Sequence, residues 1–296
     1  MAFALKAKAF DDGLYAAVDL LAQKGTPLLP GKRRILEHVH RTLLSRWRPD
    51  SSGPLESVLV LLRAALSMTG TLEESDGRLH ALVARALEDF ESNPASKPLG
   101  FYTWSPQLQA QFKQDRLLQQ ELEPAEAGLL LQALQADEDL LSAWRRHLRL
   151  SCGLTNPFSL PALDEEGQHR CFFPPSVSHE EHLLEELFPG VPPPEGDQLV
   201  DELISRIRSG QLDTTPTPRS GWYDHQLHAL VPFLLPERMP EAERLIIGHR
   251  YRDQLEHQFR GSFALTRETH IKQLRWLRVT GVNGQTPPPQ IILKPG

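Results

Sequence analysis

Leucine dominates the aliphatic residues of this 296-residue chain and limits what it can fold into. It occurs 50 times, whereas valine and isoleucine together occur 19 times. Leucine favours helices, and the β-branched residues prefer the pleated surface of a sheet. The composition therefore predicts a mainly α-helical protein, a multi-helix array or bundle with at most a minor β element near the C-terminus.

Apolar residues recur at three- and four-residue spacing, which places them on one face of a helix. The clearest case is residues 32–47, through Ile35, Val39 and Leu43. Asp11 or Asp12 is expected to cap the first helix, because a short carboxylate accepts hydrogen bonds from free backbone N–H groups. The predicted helices cover residues 13–23, 32–47, 55–68, 77–91, 106–121, a segment that begins at 124, 137–149, 178–188, 197–208, 220–235, 240–259 and 266–278, with one short strand at 290–294.

Proline and charge divide the chain into three parts. Residues 151–221 contain 10 prolines and carry 12 acidic against 4 basic side chains, whereas residues 1–150 carry 19 acidic and 18 basic ones. We interpret 1–150 as a helical domain and 151–221 as an acidic, proline-rich, irregular connector with two short helices. Residues 222–296 are then a helical segment that packs back on the first domain and ends in a short strand or hairpin.

Histidines near the C-terminus suggest one candidate site, because imidazole is a common metal ligand and titrates near neutral pH. An alternative function is therefore a metal-dependent or acid–base enzyme with its site between the helices 222–235 and 240–259. Alternating acids and bases at this spacing are also typical of a solvated helix face, so no cofactor is the first expectation and a divalent metal ion the alternative. The candidate acid–base residues are His228, His249, Asp253 and Glu256, and the candidate metal ligands are Asp224, His228, His249, Asp253 and His257.

A second candidate metal site lies in the proline-rich middle of the chain. Its two cysteines are separated by 18 residues and are followed by a pair of histidines, but the tight Cys-x2–4-Cys spacing of structural zinc sites is absent. The thiols can equally act as small buried apolar groups. The candidate ligands are Cys152, His169, Cys171, His179 and His182.

Basic residues cluster in the helix predicted over 32–47 and suggest a patch for an anionic partner. The isoelectric point of about 6.1 argues against a dedicated nucleic-acid-binding protein. Pairing with the acidic connector, or simple solvation, is the alternative explanation. The patch consists of Lys32, Arg33, Arg34 and Arg41.

Catalytic and nucleotide-binding motifs are absent from the sequence. It contains no Gly-x-Ser-x-Gly, no Gly-x4-Gly-Lys-Ser/Thr, no Gly-x-Gly-x2-Gly and no His-Glu-x2-His. No window approaches the roughly 18 apolar residues of a membrane span. The sequence therefore favours a non-catalytic, cytoplasmic interaction or scaffold protein that binds a protein partner, without a role at membranes.

Overall fold

The computed structural model describes residues 2–48, 50, 52–70, 77–155, 158–177, 179–190, 199–218, 220–238 and 249–266. Eleven α-helices and no β-strand occur among these residues, which confirms the prediction of a mainly α-helical array. None of the helices in the described ranges is both long and apolar enough to cross a membrane. The helices are α1 (Ala2–Lys24), α2 (Lys32–Leu44), α3 (Pro54–Met68), α4 (Gly77–Ser92), α5 (Pro106–Leu118), α6 (Pro124–Gln135), α7 (Glu138–Leu154), α8 (His179–Leu187), α9 (Leu199–Ser209), α10 (Trp222–Leu230) and α11 (His249–Thr266).

The start of α1 differs from the prediction. The helix begins at Ala2, so that Asp11 and Asp12 lie inside it, and the expected N-cap role of either residue is wrong. The preceding residues are mostly alanine, lysine and leucine, which are strong helix formers. Both acids are buried, and Asp11 accepts a hydrogen bond from Trp222 while Asp12 pairs with Lys8. Gly25, with φ of 88°, ends the helix.

The described residues form two compact units. The α2–α7 unit comprises residues 15–150 and 158–176, and the α8–α11 unit comprises residues 2–14, 151–155 and 177–266 in their described parts. The domain boundaries predicted at 150 and 221 stay a prediction. The strand predicted at 290–294, and the continuation of helix to 278, lie outside the described residues.

Helix α3 is central to the α2–α7 unit. Eight of its fifteen residues are buried, and it contacts α2, α4, α5 and α6. The irregular residues 158–176 are attached to the same core, because the indole Nε1 of Trp144 donates a hydrogen bond of 3.0 Å to the carbonyl oxygen of Phe172. Both aromatic side chains are fully buried. Apolar burial of this kind is the dominant stabilising contribution to folding.

The core of the α8–α11 unit is smaller and is built from α8, α9, α10 and α11. Leu183, Leu203 and Phe259 are among its fully buried members. The helix predicted over 220–235 is shorter in the structure: α10 ends at Leu230, and a 3₁₀ turn follows at Val231–Phe233. Pro232 explains this end, because proline has no backbone N–H to continue the α-helical bonding.

Candidate functional site

Where the structure describes their side chains, the acid–base residues predicted in α10 and α11 are not grouped around one point. Glu256 pairs with Arg208 at 2.9 Å and with Arg260 at 2.8 Å, and Asp253 and His228 are exposed. A ring nitrogen of His257, Nδ1, lies 2.7 Å from the backbone oxygen of Asp253. The side chain of His249 lies outside the described part. Among the side chains that the structure describes, no three His, Cys, Asp or Glu residues form a metal-binding group.

Two residues from different predicted metal sets do meet, at the contact of α8 with α10. His182 Nε2 lies 3.5 Å from Asp224 Oδ1 and 3.9 Å from Glu186 Oε1. The hydrogen bond with Asp224 raises the pKa of His182, and burial raises the pKa of Glu186. The contact joins a side chain of α8 to one of α10, and we interpret the cluster as structural.

The other members of the set from the proline-rich segment have separate environments. Cys152 is exposed, whereas Cys171 is buried and its Sγ donates to the backbone oxygen of Gln119 at 3.3 Å. His169 is exposed and its Nδ1 lies 3.2 Å from Glu121 Oε2. The side chain of His179 is outside the described residues.

The predicted basic patch is only partly on the surface. Lys32 is 6% exposed and forms a buried ion pair with Asp115 at 3.0 Å. Arg33 pairs with Glu37 on its own helix at 2.7 Å. Arg34 and Arg41 have exposed side chains. Lys32 therefore contributes to the interior rather than to a patch, and binding of an anionic partner by the arginines stays a prediction.

Further buried polar contacts of the α2–α7 unit centre on Asp19. The hydroxyl of Tyr102 donates to Asp19 Oδ2 at 3.0 Å, and Gln111 Nε2 donates to the backbone oxygen of Asp19 at 2.6 Å. Burial raises the pKa of Tyr102 well above its usual range. Tyr102, Asp19 and Gln111 are buried and joined by these hydrogen bonds, which is typical of contacts that orient helices. We therefore interpret them as structural.

A groove on the α2–α7 unit offers a surface that a ligand can reach. It has a volume of about 520 Å³ and is lined by α3, α4 and the C-terminal end of α5. Glu56 and Asp89 lie at its polar edge. Its apolar lining includes Val60, Ala64, Leu82, Ala86, Phe90 and Leu117.

The groove follows from the amphipathic pattern of α4. Leu82, Ala86 and Phe90 recur every four residues and are only half-buried, whereas Leu79 and Val83 on the adjoining side of the helix are buried. α4 thus packs on α3 with one part of its apolar face and leaves another part accessible. The sequence analysis did not single out this site, because a half-covered apolar stripe has the same spacing as a fully covered one.

Comparison with known protein families, characterised proteins and solved structures finds no match to this chain.

Proposed function

We propose that the chain is a non-catalytic, cytoplasmic interaction protein that binds an apolar helical segment of a partner protein in the groove of α3, α4 and α5. The groove is the observation that carries this proposal. The residues offered as acids, bases or metal ligands are exposed, ion-paired or apart from one another where the structure describes their side chains. The groove, in contrast, combines concave shape with accessible apolar side chains.

The shape of the groove favours a helix as its occupant. Two rows of side chains border it, with Val60 and Ala64 on α3 and Leu82 and Ala86 on α4. Residues four apart form ridges, and the space between two such ridges accepts the ridge of a third helix. The methyl side chain of Ala86, which is half-buried, leaves room for a large apolar side chain of that helix. Amphipathic helices commonly bind to proteins in grooves of this kind.

The charge at the edge of the groove favours a basic residue on the partner. Glu88, Asp89 and Glu91 lie near the C-terminus of α4, whose last turn contains no basic residue. Carboxylates at this end oppose the helix dipole. Lys113 compensates Glu91, whereas no described lysine or arginine forms an ion pair with Asp89, which is exposed. A lysine or arginine of the partner next to Asp89 would compensate this remaining charge.

A displayed library of helical peptides tests the proposal on the full chain. The library fixes apolar residues at one face and varies the flanking positions among Lys, Glu and Gln. We expect selection to enrich peptides with Lys beside the apolar face. The Asp89→Lys variant should shift the enrichment towards Glu, because the edge charge is reversed.

The apolar lining of the groove provides a second variant, and the surface of α7 provides a control. Ala86→Glu places a charge on the apolar lining and should weaken binding of the selected peptide at least tenfold. Asp139→Lys makes the same charge change as Asp89→Lys at an exposed acid of α7 and should leave the peptide preference unchanged. Enrichment that is the same for wild type and Ala86→Glu, or no enrichment at all, would contradict the proposal.

A further inference from the structure

Residues 267–278, which follow α11 in the sequence and lie outside the described residues, carry an apolar stripe of their own. Ile271, Leu274 and Leu277 are three residues apart. In the helix that the sequence predicts here, this spacing places them on one side, within an arc of about 120°. The groove of α3, α4 and α5 has an apolar lining. The stripe therefore has the chemistry of the helix that we propose as the occupant of the groove.

Basic side chains border this stripe. Arg275 and Arg278 come four residues after Ile271 and Leu274, so each lies next to an apolar residue on a helix. The groove has the opposite charge at its edge, where Asp89 is exposed and forms no ion pair with a described lysine or arginine. The arginines of the segment can therefore compensate the charge of this carboxylate.

Charge also distinguishes this segment from the other long stretches outside the described residues. Residues 71–76, 191–198 and 239–248 each contain more acidic than basic side chains, which the acidic edge of the groove would repel. Residues 267–278 contain four basic side chains and one acidic side chain. Of these four stretches, this one alone has a net charge opposite to that of the groove edge.

We infer that residues 267–278 bind in the groove of their own molecule and compete there with the partner protein. The inference rests on the function proposed above, because it gives the same groove an internal ligand. A segment of the same chain reaches an effective concentration on the order of mM at a site that its linker can span. When most molecules have the groove filled in this way, the apparent affinity for a partner falls in proportion to the free fraction.

Substitutions in the full chain test the inference through two readouts. These are the methyl chemical shifts of Val60, Leu82 and Ala86, and the affinity for the library-selected peptide. Leu274→Asp places a charge on the apolar stripe and should release the segment from the groove. The methyl shifts should then change before any peptide is added. The peptide dissociation constant should fall about tenfold, as expected if the groove is free in roughly one wild-type molecule in ten.

Trp276→Asp is the matched control, because it makes the same kind of change on the opposite side of the predicted helix. It should leave both readouts as they are in the wild type. The double variant Arg275→Glu with Arg278→Glu should act like Leu274→Asp, since it reverses the charge that faces Asp89. Circular dichroism establishes that each variant is folded, and the double variant decides the question if Leu274→Asp is not.

Methyl shifts that are the same in the wild type, in Leu274→Asp and in the double variant would overturn the inference. Groove shifts that change with protein concentration between roughly 10 and 200 μM would also overturn it, because the segment would then come from a second copy. A peptide that binds to none of these proteins would instead contradict the proposed function. The two failures are distinguishable, since the methyl shifts that decide the inference are recorded without peptide.

Discussion

His147 is a buried, uncharged histidine that should make the stability of the α2–α7 unit depend on pH. His147 is 1% exposed, and its Nε2 lies 2.7 Å from the backbone oxygen of Pro30. Nε2–H is therefore the donor, and a second proton would have to be placed on Nδ1, which has no hydrogen-bond partner among the described atoms. Burial lowers the pKa of His147 from 6.5 to about 4.

The lowered pKa of His147 sets the direction and size of the effect. The unfolded chain binds a proton at this residue near pH 6.5, and the folded chain does so only near pH 4. The stability contribution is therefore fully present above about pH 6.5 and is lost as the pH falls towards 4. Between pH 7 and pH 4.5 the difference in proton binding corresponds to roughly 2.5 kcal/mol of unfolding free energy.

The His147→Gln variant isolates this contribution, because glutamine can keep a donor for Pro30 but does not titrate. Urea unfolding at pH 7 and at pH 4.5, followed by far-UV circular dichroism, gives the free energy of unfolding of both proteins. The wild type should lose about 2.5 kcal/mol more than the variant over this range.

Equal losses in the wild type and in His147→Gln would refute the reasoning. That result would mean that the imidazole of His147 reaches solvent, or that it is charged in the folded protein. His40, whose pKa burial also lowers to about 4, provides an independent replicate of the same test.

The buried polar pair, a close glycine contact and an exposed acid of α11 give three further predictions. Asp115→Asn should destabilise the protein by about 3–5 kcal/mol in urea unfolding, because it leaves the buried charge of Lys32 unpaired. The double variant Lys32→Met with Asp115→Leu removes both charges and should recover most of the loss. Gly221→Ala should cost about 1–3 kcal/mol by thermal unfolding, since its Cβ would lie 2.0 Å from the backbone oxygen of Thr155; unchanged stability would contradict this packing. Asp253→Ala should lower the free energy of unfolding by less than about 0.5 kcal/mol, because Asp253 is exposed. A metal chelator should leave the thermal unfolding curve unchanged. Stoichiometric bound metal that is lost in the Asp253→Ala variant would instead favour the enzyme alternative.

Local signals were sufficient to predict most helices. The apolar spacing of residues 32–47 identified α2. In the structure this helix ends at Leu44, and a turn follows it. Ser105 and Asp137 accept hydrogen bonds from backbone N–H groups at the starts of α5 and α7, as short polar residues at this position commonly do. These features depend on residues a few positions apart, which sequence reasoning can evaluate.

Features that depend on distant residues could not be predicted in this way. Lys32 was assigned to an anion-binding patch because basic residues cluster around it in the sequence. Its burial depends on Asp115, which is 83 residues away in the sequence. Likewise, the first helix was expected to begin after Asp12 because carboxylates favour helix starts, whereas the partners that satisfy Asp11 come from α10.

The groove shows the same limit for the candidate site. Leu82, Ala86 and Phe90 have the spacing of ordinary core residues, and only the packing of α4 on α3 determines that they stay accessible. The histidine-rich C-terminal helices, in contrast, attracted attention through composition alone. Composition identifies groups that could act together, but their convergence is a property of tertiary packing.

Methyl chemical shifts of the full chain, recorded while the library-selected peptide is added, test the central claim most directly. Binding in the groove predicts the largest shift changes at Val60, Leu82 and Ala86, whose side chains line it. Leu203, in the core of the α8–α11 unit, is the internal reference and should not change. Changes that spare the three groove residues, or none at saturating peptide, would contradict the claim that this protein acts by binding a helix between α3 and α4.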